Sequence, residues 1–332
     1  FHFYRKRKLI IKNSIFDHVN FKNIIEEELN DDSIAYFAAV EGFLTIEFIK
    51  NLSNTKINIS KVIDWYENQT IDKAWNYGFN TYFPKVNTLG YKGMAPSNML
   101  LSEMYTLNIE RKNKLLPQNI GVIGRGFIKN INKYDHEAKT VICPAFRFNY
   151  LWKKINTRNR ANMKFNILFA LPISIEQSLL MLSKIKLINE NNNFNDFNIM
   201  IKKHPTTPLR LIINFLQENN IQNYTIIDDS PDKTLAKIQF FVGGMSSITL
   251  EAICLGKKVV IIKNEHSLNY FTIPKDINKS LYSICKSDED FIFQLNDYIN
   301  NDSVIIDQKE SEIIKKKYFE DINSYSLDNF IK

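Results

Sequence analysis

Two stretches of this sequence combine a buried strand with side chains that can bind an anion. In the first, the apolar run at 199–201 ends abruptly in Lys202, Lys203, His204 and Pro205. Such a run is typical of a strand in a parallel sheet, and Pro205 cannot continue the hydrogen-bonded ladder. We therefore expect His204 at the carboxyl end of this strand, where open α/β sheets bind their ligands.

The second stretch begins with the apolar run at 240–242, which is followed by a Gly-Gly pair at 243–244 and by Ser246 and Ser247. Either serine can cap the helix that follows. A glycine turn before a serine-capped helix offers free backbone N–H groups, hydroxyl donors and the positive end of the helix dipole. An imidazole after one strand and two hydroxyls after another suit the phosphate of a nucleotide.

The strands and helices that must position these side chains alternate along the chain. Strands are predicted at 9–11, 61–65, 88–91, 119–123, the start of 141–152, 165–170, 199–201, just before 228, 240–242 and 258–262. Helices are predicted at 24–29, 33–49, 71–83, from Ser174 onward, between 231 and 237, after Ser247, at 288–299 and at 308–329.

Alternating strands and helices predict parallel sheets with helices on both faces. We predict an α/β protein of two Rossmann-like, doubly wound domains that face each other across a central cleft. Residues 1–155 form the first domain, residues 156–305 form the ligand-binding second domain, and the polar run at 153–162 links them. The C-terminal helix within 306–332 is expected to pack back on the first domain.

Composition excludes several classes of function. A net charge of +7 over 332 residues fits an anionic substrate or a loose contact with an acidic membrane surface, and it is too small to indicate nucleic-acid binding. Cys143, Cys254 and Cys285 lack metal or redox spacing and are expected to be free thiols in a reducing cytosol. No apolar run is long enough to span a membrane, and no signal peptide is visible. The chain opens on Phe1 and a basic patch at 5–8, which suggests that it begins inside a longer protein.

Both stretches resemble the nucleotide-binding half of GT-B glycosyltransferases, with Glu251 on the first turns of the serine-capped helix. The resemblance is strongest to bacterial transferases of sialic acid, Kdo and related nonulosonic acids, which carry an HP motif and an SS motif. Segments 65–69, 90–91 and 144–148 resemble surface-carbohydrate biosynthesis proteins with the same second half. The likeness covers roughly residues 60–265. CDP-glycerol glycerophosphotransferases and UDP-GlcNAc 2-epimerases carry similar pieces on the same fold.

The resemblance implies roles for individual residues. In the HP/SS transferases the histidine and the serines hold the phosphate of CMP, which implies His204, Ser246 and Ser247 here. A carboxylate of the first domain acts as the base in those enzymes, which implies Glu67 or Glu41. Glu67 follows a predicted strand and is the first choice. Glu41 precedes a glycine, as in the acidic-Gly motif of those enzymes, but it is a single acid in a helical pattern.

The implied chemistry is the transfer of a sugar from a nucleotide. A CMP-activated ulosonic acid leaves a monophosphate dianion when its glycosidic bond breaks, and each well-aimed donor at that phosphate contributes roughly 3–4 kcal/mol. An imidazolium at His204 and the serine-bearing helix end would supply such donors without a metal. The acceptor hydroxyl needs a general base within hydrogen-bond reach, and we expect Glu67 to serve. Direct in-line attack inverts the anomeric centre. No metal or other cofactor is expected.

Further residues are expected on each side of the cleft. The predicted donor-nucleotide contacts, besides His204 and the two serines, are Lys202, Pro205, Gly244, Glu251, Ser174 and Asp228. The predicted acceptor-side contacts are Asn68, Gln69 and Arg147.

Purely structural roles are open for several of these residues. His204 can be a turn residue, a single serine can be a plain helix cap, and Ser174 is expected to be such a cap. Glu251 can face solvent, Glu67 can be structural, and Arg147 can form a structural ion pair. The three tryptophans, Trp65, Trp75 and Trp152, are expected in the core.

The sequence therefore predicts an inverting, metal-independent glycosyltransferase that uses a CMP-activated nonulosonic acid to build a bacterial surface polysaccharide. The expected partners are the nucleotide-sugar donor and a lipid-linked or oligosaccharide acceptor, with no nucleic acid. The expected location is the cytoplasm, with peripheral contact to the inner face of the membrane. The alternatives are a CDP-glycerol-type glycerophosphotransferase, a UDP-sugar transferase, and a nucleotide- or glycan-binding protein without turnover.

Overall fold

The computed structural model describes residues 12, 14–16, 18–30, 32–55, 57–97, 100–101, 105–153, 165–191, 194, 197–244, 246–265, 269, 271–300 and 308–332. The strands are β1 (Ile15–Phe16), β2 (Val19–Asn20), β3 (Lys61–Trp65), β4 (Asn87–Lys92), β5 (Asn119–Val122), β6 (Thr140–Ile142), β7 (Phe165–Ala170), β8 (Phe197–Lys202), β9 (Tyr224–Ile226), β10 (Phe240–Gly243), β11 (Lys258–Ile262) and β12 (Tyr282–Cys285). The α-helices are α1 (Lys22–Asn30), α2 (Asp32–Ser53), α3 (Thr70–Tyr82), α4 (Asn108–Lys112), α5 (Ile128–Ile131), α6 (Ile175–Asn189), α7 (Leu209–Glu218), α8 (Pro231–Lys237), α9 (Ile248–Cys254), α10 (Asp288–Asn300), α11 (Gln308–Tyr318) and α12 (Ser324–Ile331).

Two parallel sheets organise the molecule. The first has the order β3-β4-β5-β6, and the second has the order β12-β11-β10-β7-β8-β9. Neighbouring strands in both sheets run parallel, which requires the intervening helices that the sequence pattern predicts. Short strands β1 and β2 form a separate antiparallel pair.

The second sheet reverses its strand order at β7. The chain moves from β7 to β8 and β9 on one side, and then to β10 and β11 on the other. Ligands of open α/β sheets bind outside the carboxyl ends of the strands at such a switch point. The strand ends that meet there lead into the segments 171–174, 203–205 and 244–247. These segments include His204 and both serines.

Most of the predicted elements are observed, but the sequence analysis missed helix α7, strand β12 and the short elements β1, β2, α4 and α5. The single helix predicted at 308–329 is two helices, α11 and α12, because the backbone at Glu320 pairs with both neighbouring strand ends: its N–H donates to Ile123 O at 2.6 Å and its carbonyl accepts from Ala145 N at 2.9 Å. The segment 141–152 begins as a strand, β6, as predicted, and continues as a 3₁₀-helix from Phe146 to Trp152. The predicted strand at 9–11 and most of the predicted linker lie outside the described residues.

The C-terminal segment packs against the first sheet. The Tyr318 ring contacts the Phe127 ring, with centroids 5.1 Å apart, and Phe330 contacts Tyr91 at 5.2 Å. The Asn329 side chain donates to the carbonyl of Ile142 at 2.9 Å. These contacts hold the loops after β5 and β6 on the side of the cleft.

No helix in the described parts of the chain is long and apolar enough to cross a membrane. The three cysteines are buried and free. Helix α2 exposes several large apolar side chains, Phe37, Phe43, Leu44 and Phe48.

The close approach of Gly124 to the C-terminal segment gives a stability test. A Cβ at position 124 would overlap the backbone of Tyr318, which cannot move without breaking the neighbouring contacts. We expect Gly124→Ala to lower the free energy of unfolding by about 1–3 kcal/mol, measured by urea denaturation. In the matched control, Gly244→Ala, the added Cβ would lie 3.4 Å from the nearest atom, Gln177 Nε2, and stability should stay near that of the wild type. Equal stability of the two variants would contradict the tight packing at Gly124.

Candidate functional site

His204 lies just beyond the end of β8 and is half-buried. Its Nδ1 accepts a hydrogen bond from the backbone N–H of Thr206 at 3.3 Å, and Thr206 Oγ1 lies 2.7 Å from the same atom. Because Nδ1 is an acceptor, the neutral ring carries its proton on Nε2. The loop thus orients the imidazole with Nε2–H as its available donor.

The surroundings of His204 favour the neutral ring. Burial lowers the pKa of His204 below its ordinary value, and the positive charges of Lys203 and Arg147 lower it further. The imidazolium expected from the sequence therefore stays a prediction for the chain with a bound ligand. A bound dianion would oppose this shift, because a nearby negative charge favours the protonated ring.

The serine pair precedes helix α9. The Ser247 hydroxyl donates to Glu251 Oε1 at 3.2 Å and makes no capping bond, so the plain-cap alternative is wrong for this residue. Both serines are half-buried. The carbonyl of Ser246 accepts from Thr272 Oγ1 at 2.8 Å, and its hydroxyl has no hydrogen-bond partner within the described residues. The Ser246 hydroxyl is thus the one of the pair that is available to a ligand.

Glu251 is buried, with 4% of its surface exposed, which excludes the solvent-facing alternative. Its carboxylate accepts hydrogen bonds from the Tyr150 hydroxyl and from Ser247. Burial raises the pKa of Glu251, against the opposing effects of the Tyr150 hydrogen bond, the charge of Arg147 and the Ser247 hydrogen bond. With both oxygens engaged, Glu251 joins the two halves of the molecule; the ribose contact predicted for it would have to replace one of these bonds.

Arg147 lies on the same 3₁₀-helix as Tyr150, three residues earlier. Residues three apart in a 3₁₀-helix lie one above the other on the same face, so Arg147 lies one turn from the Tyr150–Glu251 contact. Its charge lowers the pKa of both His204 and Glu251. Arg147 is exposed, and no carboxylate of the described residues lies within ion-pair distance of it, so the structural ion pair considered from the sequence is absent there.

The other predicted donor-side residues have more ordinary surroundings. The Lys202 ammonium donates to the carbonyl of Asp229, which ties the end of β8 to the loop after β9. Ser174 caps α6 by accepting from Gln177 N at 3.3 Å, as expected of a plain helix cap. Pro205 and Asp228 are exposed, and Gly244 is buried beside Gln177. The structure therefore groups His204 with Arg147 and the serine–Glu251 pair, and leaves Lys202 and Ser174 in structural bonds.

Glu67 follows β3 at the carboxyl edge of the first sheet and is half-buried. Its Oε1 accepts from the Trp65 indole N–H at 2.6 Å, and its Oε2 accepts from the Gln69 amide at 2.7 Å. A carboxylate has about four acceptor sites, so both oxygens retain capacity for a further proton donor. Trp65 is 48% exposed, and its predicted place in the core is wrong.

Asn68, unlike Trp65, is not exposed. It is buried and adopts a φ of 62°, a left-handed conformation that asparagine tolerates. Its Oδ1 accepts from the Tyr66 hydroxyl at 3.0 Å, and its amide lies 3.4 Å from the Glu110 carboxylate. The Asn68 side chain thus holds the loop, and its predicted sugar contact stays a prediction.

Glu41, the second candidate base, lies on the exposed side of α2. The next residue, Gly42, packs against α3: a Cβ there would lie 3.3 Å from Ala74 Cβ and 3.8 Å from Thr70 Cγ2. Because Thr70 begins α3, this part of α2 lies at the same edge of the sheet as Glu67. The structure thus leaves both carboxylates as candidates on that edge.

Asp64 on β3 was not singled out in the sequence, although it is an acid in an otherwise apolar strand. Both of its carboxylate oxygens are buried and have no hydrogen-bond partner in the described part of the chain. Burial, together with the negative charge of Asp72, raises the pKa of Asp64 to about 7. Asp72 in turn accepts from Glu67 N at 2.9 Å and Gln69 N at 3.0 Å, and so shapes the loop that carries the candidate base.

Tyr150 and Gln177 were also missed. Tyr150 had no distinguishing signal, because its partner Glu251 is distant in sequence. Gln177 follows the cap Ser174 and is buried; its amide donates to Ile262 O at 2.6 Å, and its Oε1 has no partner in the described residues. Among those residues, no group of three or more His, Cys, Asp or Glu side chains could hold a metal ion.

No protein-family model and no curated protein matches this sequence. Among solved structures, the chain is similar to S. aureus MnaA in a co-structure with UDP, with a TM-score of 0.53 and 11% identity over 89% of this chain and 77% of MnaA. It is similar to UDP-GlcNAc 2-epimerase from Neisseria meningitidis bound to UDP-GlcNAc, with a TM-score of 0.51 and 13% identity over 87% and 79% of the two chains.

A third similar structure is an S. aureus TarM variant in complex with Fondaparinux, alpha-GlcNAc-glycerol and UDP. The TM-score is 0.50 and the identity 16%, over 83% of this chain but 55% of TarM, so the chain spans about half the length of that protein. At such identities the likeness shows the fold alone. The predicted fold, two Rossmann-like domains in the GT-B arrangement, is confirmed.

Asp64 gives a pH-dependent test of the loop that holds Glu67. Its pKa is about 7 in the folded chain, against about 4 in an unfolded one. Folding therefore loses stability as the pH rises from about 4 to about 7, and Asp64→Asn removes this loss. We expect the variant to gain on the order of 2 kcal/mol over the wild type between about pH 5 and pH 8, measured by urea denaturation.

The exposed Asp228→Asn variant is the control and should follow the wild-type pH profile. A constant difference between Asp64→Asn and the wild type across this range would show that Asp64 does not titrate there.

Proposed function

We propose that this protein is a glycosyltransferase that transfers a sugar from a nucleotide bound at the carboxyl ends of the second sheet. The observation that carries the proposal is the contact of Glu251 with Tyr150 and Ser247, because Arg147 lies one 3₁₀ turn before Tyr150. His204 follows β8 and the serines follow β10, at the same edge of the second sheet. A leaving phosphate at this point would meet the Nε2–H of His204, the guanidinium and the Ser246 hydroxyl. Such donors stabilise charge that develops as a glycosidic bond breaks.

A UDP-sugar is the donor class that we put first. Two of the similar structures contain UDP, and a third contains UDP-GlcNAc. A diphosphate also has the length to engage donors from both sides of the cleft, with Arg147 contributed by the first half and His204 by the second. The CMP-activated nonulosonic acid predicted from the sequence is the second candidate, because the HP and SS segments that suggest it follow β8 and β10, the two strands on either side of β7.

Glu67 is the proposed base for the acceptor hydroxyl. Its carboxylate is held from two sides by Trp65 and Gln69, so its orientation does not have to be fixed when the substrate binds. The exposed indole of Trp65 beside it offers an apolar surface to a sugar ring. Attack by the activated hydroxyl on the face opposite the leaving phosphate would invert the anomeric centre.

The remaining parts of the sequence-based prediction stay predictions. They are independence from metals, a cytoplasmic location, a lipid-linked or oligosaccharide acceptor, and peripheral contact with the membrane. Exposed apolar residues on α2 are of the kind that such a contact would use. Domain boundaries at 155 and 305 likewise stay predictions.

Nucleotide binding tests the donor site. In isothermal titrations, we expect His204→Ala and Arg147→Met each to weaken UDP binding by about tenfold or more, because each removes a hydrogen bond to a charged phosphate. Uridine, which lacks the phosphates, should bind all forms alike. Tighter binding of CMP than of UDP to the wild type would move the proposal to the CMP-sugar donor.

Arg210→Met is the matched control for this titration. Arg210 is exposed at the start of α7 and forms no ion pair with the described residues, so its loss should leave UDP affinity unchanged. Wild-type UDP affinity in both His204→Ala and Arg147→Met would overturn the proposed donor site.

Turnover tests the base. With a panel of nucleotide sugars, the release of nucleotide should fall by about a hundredfold or more in Glu67→Gln, because the amide cannot accept the acceptor proton. Nucleotide affinity should not change, since Glu67 follows a strand of the first sheet. Release of CMP with a phosphodiester in the product, detected by phosphorus NMR, would instead establish a glycerophosphotransferase.

Glu41→Gln serves as the matched comparison in the same assay. Wild-type rates in Glu67→Gln together with a lost rate in Glu41→Gln would reassign the base to Glu41. Absence of turnover from every donor in the wild type, with UDP still bound, would favour a binding protein.

A further inference from the structure

A cavity of about 440 Å³ lies where the two halves meet, and its lining includes none of the residues assigned to the donor. Its volume falls within the roughly 300–1,000 Å³ typical of small-molecule sites. One wall comes from the connections after β4 and β5, and the opposite wall comes from the segment before β12. The lining residues used here are Tyr105, Phe127, Lys129, Lys133, Lys275 and Tyr318.

The cavity adjoins the donor site through one segment of the chain. Thr272 at one end of this segment donates to the carbonyl of Ser246 at 2.8 Å, and Lys275 lines the cavity. The Ser97 hydroxyl also lies 3.4 Å from the carbonyl of Phe271, which links the segment to the first half. A ligand in the cavity would therefore lie next to a nucleotide bound at Ser246.

The charge of the lining is positive and uncompensated. None of the lysines Lys129, Lys133 and Lys275 has a carboxylate within ion-pair distance among the described residues. The one acid of the lining, Asp276, is bound by Lys317 at 2.5 Å and by the Tyr318 hydroxyl. Three ammonium groups thus remain available to an anion.

Aromatic rings hold part of this charge in place. The Lys133 ammonium lies 5.1 Å from the centre of the Tyr105 ring and 4.8 Å from that of Tyr134. Lys129 is four residues earlier, so the two lysines lie on the same side of the turn that continues α5. The rings also give the cavity apolar surface, which suits the faces of a sugar better than a bare inorganic ion.

The cavity and Glu67 lie at the ends of strands in the same sheet. Glu67 follows β3, while Phe127 and Lys129 follow β5, two strands away in the same parallel sheet. Parallel strands are about 4.8 Å apart, so the carboxyl ends of β3 and β5 are separated by roughly 10 Å at the same edge of the sheet.

We propose that this cavity binds the acceptor of the proposed glycosyl transfer, and that the acceptor is a glycan carrying an anionic group, phosphate or carboxylate. The identification of the ligand as the acceptor rests on the proposed function. The anion site itself stands on the cavity, its lysines and their lack of carboxylate partners.

The test is a titration of two small anions, inorganic pyrophosphate and citrate, into the protein saturated with UDP at low ionic strength. We expect at least one of them to bind, and the Lys129→Gln/Lys133→Gln double variant to weaken that binding by about tenfold or more. Stronger binding of pyrophosphate identifies a phosphate-bearing acceptor, and stronger binding of citrate a carboxylate-bearing one.

The control is the Lys85→Gln/Lys139→Gln double variant, which removes the same charge from exposed lysines near the amino ends of β4 and β6. It should bind both anions as the wild type does. No binding of either anion, or equal weakening in both double variants, overturns the proposal. UDP titrated into the free protein reports separately on the donor site, and if UDP fails to bind, the same anion titrations on the free protein still decide the cavity.

Discussion

The hydrogen bond between Tyr150 and the buried carboxylate of Glu251 is the contact on which the site depends. It joins the 3₁₀-helix that follows the first sheet to the helix that follows the Gly-Gly turn of the second. Burying a carboxylate costs free energy unless the carboxylate is hydrogen-bonded, and removing one partner leaves this cost without compensation. The two sheets are therefore held at a fixed distance where the cleft has to form. Ser247, which would otherwise be a helix cap, is used for the same purpose.

Because Tyr150 is fixed, Arg147 is placed as well. The tight 3₁₀ repeat aligns residues three apart, so Arg147, which has no ion-pair partner in the described residues, lies one turn from the Tyr150–Glu251 contact. Burial lowers the pKa of His204, and the positive charges of Lys203 and Arg147 lower it further. The charge of a residue in the first half thus acts on a residue that follows a strand of the second, and the acceptor-side contact predicted for Arg147 stays a prediction.

Much of the fold followed from the sequence, because apolar runs that end in Gly, Pro or Lys identify parallel strands without knowledge of their neighbours. The strands that contain Ile199 and Phe240 are examples, and their ends carry the residues that suggested a phosphate site. Side chains whose role depends on a distant partner could not be assigned in this way. The bonds of Asn68 to Tyr66 and Glu110 were not foreseen, and Trp65 looked like core until β3 proved to be an edge strand. Helix 308–329 was predicted unbroken because the backbone bonds at Glu320 that interrupt it come from Ile123 and Ala145.

Two carboxylates, Asp64 and Asp72, explain why the loop that carries Glu67 keeps its shape while the Glu67 side chain stays accessible. Asp72 accepts two backbone N–H groups of the loop, which fixes the direction in which Glu67 leaves the strand. Asp64 lies close enough to feel the charge of Asp72 and has no hydrogen bond of its own in the described residues, so it stays protonated at a pH where an exposed aspartate is ionised. Were both ionised and buried together, their repulsion would act on the loop itself. A proton on Asp64 removes this repulsion from Asp72, which accepts from two N–H groups of the loop. The side chain of Glu67 is then oriented by its hydrogen bonds from Trp65 and Gln69, at the carboxyl edge of the first sheet.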